Sequence, residues 1–353
     1  MFYVNCRFLT QHITGVQRYA VELSLRLKQL FGEDIVFVSP SNIINDFIAQ
    51  ELKAIVIGNH SGHFWEQVDL PCYLRKHGNP LLLNLCNTAP IMYRNKVVAI
   101  HDVAFKVYPQ TFSKTFLWAY RVLIPNIIKS SRKIVTVSEF SKRELVKYYS
   151  VPEHKIFVVP SAVSDNFHYS ANMSYRECKD PYFLVVSSVN YRKNFMRVLQ
   201  AFELLQNEVN NIQLYIVGDI NAKSFKGIKI EKYKKNPQIK FLGRVSDFEL
   251  NDYYSNAVAF VFPSLYEGFG LPPLEAQTCQ CPVVCSAIEP HKEVVSDSAI
   301  LCNPFDVEDI KEKMRFILYA DRREYITKGL LNIKRFGFNK SASLLADILK
   351  SLD

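Results

Sequence analysis

The chain has 353 residues, of which 48% are hydrophobic and 13% aromatic, and its formal net charge is +9 at pH 7. Because one ordinary domain has about 150 residues, this length indicates two domains, and the apolar content excludes a disordered chain. The positive charge favours anionic partners, such as phosphates, acidic lipids or nucleic acid, without choosing among them.

The chain carries no sequence typical of secretion or of a membrane span. No basic segment followed by a long apolar core begins it, and no apolar run reaches the ~20 residues that cross a bilayer. Its eight cysteines lack the spacing of a secreted disulfide framework or of a structural zinc site. We therefore expect a cytoplasmic protein with reduced thiols and no bound metal.

In the first half, apolar runs alternate with helical patterns. Strands are predicted at 2–6, 35–38, 54–57, 81–86, 96–102 and 133–137, and the loop at 10–19 leads into a helix. Such alternation indicates a parallel sheet, whose ligands gather at the carboxyl ends of the strands. His101 and Asp102 lie at such an end, although a lone histidine is more often structural.

The stretch 114–147 is basic and amphipathic. It holds eight Lys or Arg against two acids, interleaved with aromatic and aliphatic residues such as Trp118. This pattern suits either a core helix with a solvated face or a helix that lies on an anionic membrane. Within the stretch, Ser138 followed by polar residues predicts a helix N-cap.

A polar segment without periodicity, 164–180, predicts the linker between two domains, 1–165 and 166–335. Beyond the linker come strands at 182–186, 213–219 and 239–245, and Arg192 with Lys193 lies at a helix start. Two fixed positive charges beside a helix start suit a leaving diphosphate, although they could be a plain surface pair. A lysine-rich interval, 223–240, reads as a solvated loop, and no recognised fold module supports nucleic-acid binding there.

The most informative stretch is 259–276, with the sequence AFVFPSLYEGFGLPPLEA. A buried strand ends before Pro263 and is followed by a glycine-containing loop and a helix. Because Pro272 precedes another proline, Pro273 is predicted as the first helical residue. The start of this helix makes a place for an anion.

Two glutamates and two glycines surround this predicted anion site. Gly268 and Gly270 let a ligand approach the backbone, Glu267 lies in the loop, and Glu275 falls in the first helical turn. Taken singly, each glutamate has a plainer explanation, since Glu267 can be a solvated loop residue and Glu275 can merely complement the helix dipole. Their combination with the strand, glycines and prolines favours a binding site.

The phrase PSLYEGFGLPPLEA resembles the nucleotide-sugar site of glycosyltransferase family 4, whose fold is called GT-B. GVQRY at 15–19, the His-Asp pair at 101–102, SEFSK at 138–142 and RKN at 192–194 are also similar to segments of this family. The resemblance implies an α/β protein of GT-B fold, with two Rossmann-like domains facing each other across a cleft. It also implies that a C-terminal helix, 336–353, crosses back to the first domain.

The resemblance further implies the roles of individual residues. Glu267 and His101 would contact the donor sugar or line the reaction site, and Lys193 with Arg192 would bind the diphosphate. The implied donor-binding residues are Gly15, Gly268, Phe269, Gly270, Leu271, Glu275 and Gly243. Within this set Glu275 would hold the ribose and Gly243 would lie near the base, while Arg18 stays open between a surface cation and a site residue.

Two positions depart from the pattern of the family. Many members have glycine where this chain has Ser188 and Gln280. We therefore expect a modified approach to the phosphate at the first position. At the second we expect a differently built turn after the motif helix.

The implied activity is retaining transfer of a hexose from a nucleoside-diphosphate sugar to a hydroxyl of a growing glycan, as in surface polysaccharide, lipopolysaccharide or lipid-linked oligosaccharide synthesis. Among donors we favour GDP-mannose. No Asp-x-Asp motif is present, so metal-independent transfer is expected. Location is expected in the cytoplasm, with peripheral contact at the inner face of the membrane left open.

Two other activities remain compatible with this pattern. One is a GT-B epimerase that acts on a nucleotide sugar, and the other is a non-catalytic protein that only binds one. A nicotinamide oxidoreductase is disfavoured, because no Gly-x-Gly-x-x-Gly follows an opening strand.

Overall fold

The computed structural model describes residues 1–170, 180–186, 191–218 and 231–352. They form two compact units. Unit 1 consists of Met1–Ser164 together with Phe336–Asp353, and unit 2 is Asp165–Arg335. No helix in the described ranges is long and apolar enough to cross a membrane.

Unit 1 is built on a parallel sheet that has seven strands within the described residues. These are β1 (Phe2–Asn5), β2 (Ile35–Ser39), β3 (Ile55–Val56), β4 (Leu81–Asn84), β5 (Lys96–Ala99), β6 (Lys133–Thr136) and β7 (Ile156–Val158). Their order is β3-β2-β1-β4-β5-β6-β7, so the direction of winding reverses between β1 and β4. β1, β4 and β5 are buried along their whole length, which explains why most of their residues are apolar.

The helices of unit 1 alternate with these strands. They are α1 (Gly15–Phe31), α2 (Asp46–Leu52), α3 (Gly62–Phe64), α4 (Leu70–Lys76), α5 (Ala104–Val107), α6 (Lys114–Ser130) and α7 (Glu139–Tyr149). A π-helical turn, Trp65–Asp69, joins α3 to α4. The Ser138 hydroxyl accepts a hydrogen bond from the Ser141 amide at 3.0 Å, so the predicted cap of α7 is confirmed.

Unit 2 has the same architecture, with six parallel strands among its described residues. They are β8 (Tyr182–Val186), β9 (Gln213–Val217), β10 (Ile239–Gly243), β11 (Ala259–Phe262), β12 (Val283–Ser286) and β13 (Ile300–Cys302). The order β10-β9-β8-β11-β12-β13 reverses between β8 and β11. The helices are α8 (Phe195–Leu205), α9 (Glu231–Lys234), α10 (Asp247–Asn256), α11 (Leu271–Thr278), α12 (Glu289–Val295), α13 (Val307–Tyr319) and α14 (Arg322–Ile333).

The last helix, α15 (Phe338–Lys350), belongs to unit 1, as the sequence predicts. It packs against α1, where Arg26 Nε donates to Asn339 Oδ1 at 2.9 Å. The Ser341 hydroxyl donates to the Pro160 carbonyl at 2.7 Å. The α/β class with two Rossmann-like sheets and a returning C-terminal helix is therefore confirmed.

Candidate active site

The helix of the central motif begins two residues earlier than the sequence predicts. α11 starts at Leu271 with Gly270 as its N-cap, so Pro272 and Pro273 both lie in the first turn. Neither proline loses an intrahelical hydrogen bond, because the N–H groups of a first turn have no acceptor within the helix. The backbone donors that this turn can offer an anion are consequently the amides of Gly270 and Leu271.

The fold itself requires glycine at position 270. Its φ is +94°, and a Cβ at this position would lie 2.9 Å from Cδ2 and 3.1 Å from Nε2 of His291. Both the left-handed backbone and the close ring exclude a larger residue. Glycine at this position therefore sets the shape of the loop, whether or not a ligand also approaches it.

His291 is a buried residue of the site that the sequence did not reveal. Its Nδ1 lies 2.9 Å from Ser286 Oγ and 3.1 Å from Ser286 O, while Ser286 Oγ donates to the Ser264 carbonyl at 2.6 Å. Since that hydroxyl proton is already used, Nδ1–H must donate and Nε2 must carry the lone pair. Burial lowers the pKa of His291 to about 4, so the ring is neutral at pH 7.

Glu267 is held between two cations. Its Oε1 lies 2.7 Å from Lys193 Nζ, its Oε2 lies 3.2 Å from Arg192 Nη1, and the residue is 8% exposed. Burial alone would raise the pKa of Glu267, but the charges of Lys193 and Arg192 lower it to about 2. The structure thus brings together three predicted residues that lie 74 and 75 positions apart in the chain.

The backbone around this cluster is fixed by further hydrogen bonds. The Leu265 amide donates to the Arg192 carbonyl at 2.8 Å, and Arg192 Nη1 donates to the Tyr266 carbonyl at 2.8 Å. The buried side chain of Asn194 donates to the carbonyls of Pro263 at 2.9 Å and Pro304 at 2.6 Å. The start of α8 is therefore tied to the loop after β11, at the point where the strand order reverses.

Glu275 is the fifth residue of α11, two residues further from the helix start than predicted, and it is 9% exposed. It lies close to Tyr254 of α10. Burial, and then the charge of Glu275, raise the pKa of this tyrosine well above its ordinary value. Complementing the helix dipole at the surface therefore does not account for Glu275.

The other predicted donor residues of unit 2 lie in and near the same loop. Gly268 and Phe269 are buried in it. Gly243 ends β10 with a φ of +72°, and its carbonyl accepts from the Gly218 amide at 2.7 Å. Among the described residues, a Cβ on Gly243 would meet nothing within 4 Å.

In unit 1, Gly15 and His101 lie in different surroundings. Gly15 is exposed, begins α1 and would place a Cβ in open space. His101 is buried, and its Nε2 lies 2.9 Å from the Leu85 carbonyl. This carbonyl orients the ring, whereas Asp102 accepts from the Ala104 amide at 2.9 Å. Burial lowers the pKa of His101 and favours the neutral ring, with Nδ1 as acceptor.

The two departures from the family pattern have different outcomes. Ser188 lies outside the described residues. Gln280 adopts φ +59°, the left-handed conformation that glycine favours. The Cys281 amide donates to the Ala276 carbonyl at 2.9 Å, which closes the turn after α11. The turn is thus an ordinary left-handed helix end made with an unfavourable residue.

Comparisons with known proteins agree with this architecture. The model of "Glycosyltransferase Family 4" matches residues 13–167, and that of "Glycosyl transferases group 1" matches residues 174–329. O-antigen chain mannosyltransferase B of Escherichia coli is 29% identical over 274 residues, which cover 74% of this chain and 72% of that protein. O-antigen chain mannosyltransferase RfbU of Salmonella typhimurium is 27% identical, with 86% and 87% covered.

A solved structure has the same fold over the whole chain. Sucrose-phosphate synthase from Thermosynechococcus elongatus superimposes with a TM-score of 0.77 at 17% identity, covering 99% of this chain and 98% of that one. The two family models together match both units apart from short segments. The chain is therefore a glycosyltransferase of GT-B fold and belongs to glycosyltransferase family 4.

Proposed function

We propose that this enzyme transfers mannose from GDP-mannose to a hydroxyl of a growing surface-polysaccharide or lipid-linked glycan, with retention of configuration. The observation that carries the proposal is the contact of Lys193 and Arg192 with Glu267 beside the start of α11. The names of the two O-antigen mannosyltransferases support mannose as the sugar and a polysaccharide as the product.

The cluster suits a sugar diphosphate because it places positive charge beside a carboxylate. Lys193 and Arg192 place two positive charges beside the single negative charge of Glu267, which suits a diphosphate. The amides of Gly270 and Leu271 can add two neutral donors. Glu267 is ionised throughout the neutral range and can accept hydrogen bonds from sugar hydroxyls.

In the proposed reaction the bond between the anomeric carbon and the diphosphate oxygen breaks. A new bond joins that carbon to the acceptor oxygen on the same face of the sugar. The acceptor proton passes to an oxygen of the departing GDP, so a separate base is not needed. Lys193 and Arg192 stabilise the negative charge that develops on GDP, which is the largest contribution expected of such a site.

Release of the nucleoside diphosphate from a panel of nucleotide sugars, with mannose-terminated glycans as acceptors, tests the proposal. GDP-mannose should be consumed faster than UDP-glucose or UDP-N-acetylglucosamine, and the rate should persist in EDTA. Dependence on added manganese would contradict the metal-independent chemistry. Conversion of the donor without any acceptor into an epimeric nucleotide sugar would favour an epimerase instead.

The proposal includes contact between α6 and an anionic membrane. Its exposed face carries the cations Lys114, Arg121 and Lys129, together with Trp118, which is 73% exposed, and Val122, which is 48% exposed. Tryptophan and basic residues suit the interface between headgroups and acyl chains. Flotation should recover the protein with vesicles of anionic lipid and much less with zwitterionic vesicles. Replacing Trp118 with Ala and Arg121 with Glu should abolish the difference.

A further inference from the structure

A second polar cluster lies at the carboxyl edge of the sheet of unit 1. Its carboxylate, Glu66, is 1% exposed. Glu66 Oε1 accepts hydrogen bonds from Asn5 Nδ2 at 2.9 Å, Thr88 Oγ1 at 3.0 Å and Arg7 Nε at 3.3 Å. Burial would raise the pKa of Glu66, but the hydrogen bond from His63 and the charge of Arg7 lower it, so the buried group is an anion.

The position of this cluster is the place where an open parallel sheet binds ligands. Asn5 ends β1 and Asn84 ends β4, and Asn5 Nδ2 donates to Asn84 Oδ1 at 3.0 Å. The strand order of unit 1 reverses between these two strands. Glu66 reaches this point from the π-helical turn Trp65–Asp69, a kind of turn that often occurs at functional sites.

One donor and one acceptor of the cluster can make further hydrogen bonds. Arg7 donates through Nε to Glu66 and through Nη2 to Thr88 Oγ1 at 2.9 Å. Its Nη1 makes no hydrogen bond among the described residues, and the side chain is 10% exposed. On Glu66, Oε2 is contacted by His63 Nδ1 at 3.3 Å, and the His63 side chain is 51% exposed. A small polar ligand could displace that histidine and reach both groups.

Aromatic rings pack together in the same unit. Tyr120 of α6 stacks on Phe116 with ring centroids 3.9 Å apart, and Phe105 contacts the same tyrosine edge-on at 5.3 Å. Burial raises the pKa of Tyr120 to about 12, while the charge of Arg7 opposes this rise and that of Glu66 adds to it. Aromatic walls with a few convergent polar groups are typical of sites for small organic ligands.

We propose that the Arg7–Glu66 cluster binds the terminal sugar of the acceptor glycan. One sugar hydroxyl donates to Glu66 Oε2, and an adjacent hydroxyl accepts from Arg7 Nη1. The buried anion disfavours phosphate or a uronic acid, so the ligand class is a neutral sugar with two adjacent free hydroxyls. This inference rests on the proposed glycosyl transfer and adds the part of the acceptor that is recognised.

Octyl glycosides of mannose, galactose, N-acetylglucosamine and glucuronic acid are suitable probes. Their binding to the full-length chain is measured by calorimetry, and GDP release from GDP-mannose is measured over a range of glycoside concentrations. The variants are Glu66→Gln, which removes the anion, and Arg7→Lys, which keeps the charge that Glu66 needs but loses the planar fork. Glu22→Gln is the matched control, because Glu22 pairs with Arg26 at 2.5 Å on α1 of the same unit.

We expect the wild type to bind a neutral glycoside and both variants to raise its KM about tenfold to hundredfold, the effect of losing one hydrogen bond to a charged group. The Kd for GDP-mannose should not change, and Glu22→Gln should behave as the wild type does. The inference is overturned if the wild type binds none of the glycosides or only the glucuronide. Variants with an unchanged KM, or with lost GDP-mannose affinity, also overturn it. Failure of the proposed function would be seen separately, as a wild type that does not bind GDP-mannose.

Discussion

Replacing Glu267 with Gln should destabilise unit 2 at neutral pH, because it removes the counter-charge of Lys193 and Arg192 while keeping the shape of the side chain. The pKa of Glu267 falls from 4.5 to about 2 in the folded protein. At roughly 1.4 kcal/mol per pKa unit, this difference corresponds to about 3 kcal/mol of stability. Since the folded pKa is depressed, this contribution is complete above pH 4.5 and is lost as the pH falls towards 2.

Urea unfolding at pH 7 and at pH 3 measures this loss. Both tryptophans of the chain, Trp65 and Trp118, lie in unit 1, so their fluorescence follows that unit, whereas circular dichroism follows both units. We expect Glu267→Gln to lower the unfolding free energy measured by circular dichroism at pH 7, and to lower it less at pH 3. Glu203→Gln is the control, because its pair with Lys232 is exposed and should contribute below about 1 kcal/mol. An effect of Glu267→Gln that is absent at pH 7, or equal at both pH values, would refute the electrostatic reasoning.

Three further substitutions test other parts of the site. Between pH 6.5 and 4, His291 should cost the wild type about 3 kcal/mol of stability, because the folded ring has a pKa of about 4 whereas the unfolded chain takes up a proton in this window. His291→Gln should remove this part of the loss. Unfolding free energies at pH 7 and 4.5 measure it, and equal slopes would contradict the neutral buried ring. Gln280→Gly should raise the unfolding free energy by about 1 kcal/mol because φ is +59°, whereas Gln280→Ala should give no gain in the same denaturation experiment. Gly15→Ala should leave the melting temperature unchanged, since the added Cβ meets open space, but should weaken GDP-mannose binding in calorimetry if the donor approaches there. Unchanged affinity would remove Gly15 from the site.

The strands and the central motif could be predicted from the sequence because each depends on local chemistry. Parallel strands buried on both faces need continuous apolar runs, and such runs located β8 to the residue and the end of β11 at Phe262. β7 and β13, with three residues each, are not among the predicted strands. The predicted start of α11 is two residues too late, because a first helical turn tolerates both prolines despite the backbone restriction before a proline.

Contacts over long sequence distances account for what the sequence could not reveal. His291 gave no signal because nothing local distinguishes it, and only the fold places its ring against Gly270. The Glu66 cluster gathers polar residues from β1, from the turn after α3 and from the end of β4. Each of these is unremarkable in its own segment. Their convergence follows from the strand order, which periodicity alone does not give.

The proposed function requires the diphosphate of the donor to bind at Lys193 and Arg192 in unit 2. Calorimetric titration of GDP-mannose into the wild type and Lys193→Ala, both in EDTA, tests it most directly, with Lys232→Ala as the control because that lysine pairs with exposed Glu203. We expect binding to the wild type and to the control, and an affinity at least about tenfold lower for Lys193→Ala. Equal affinities for all three proteins would contradict it.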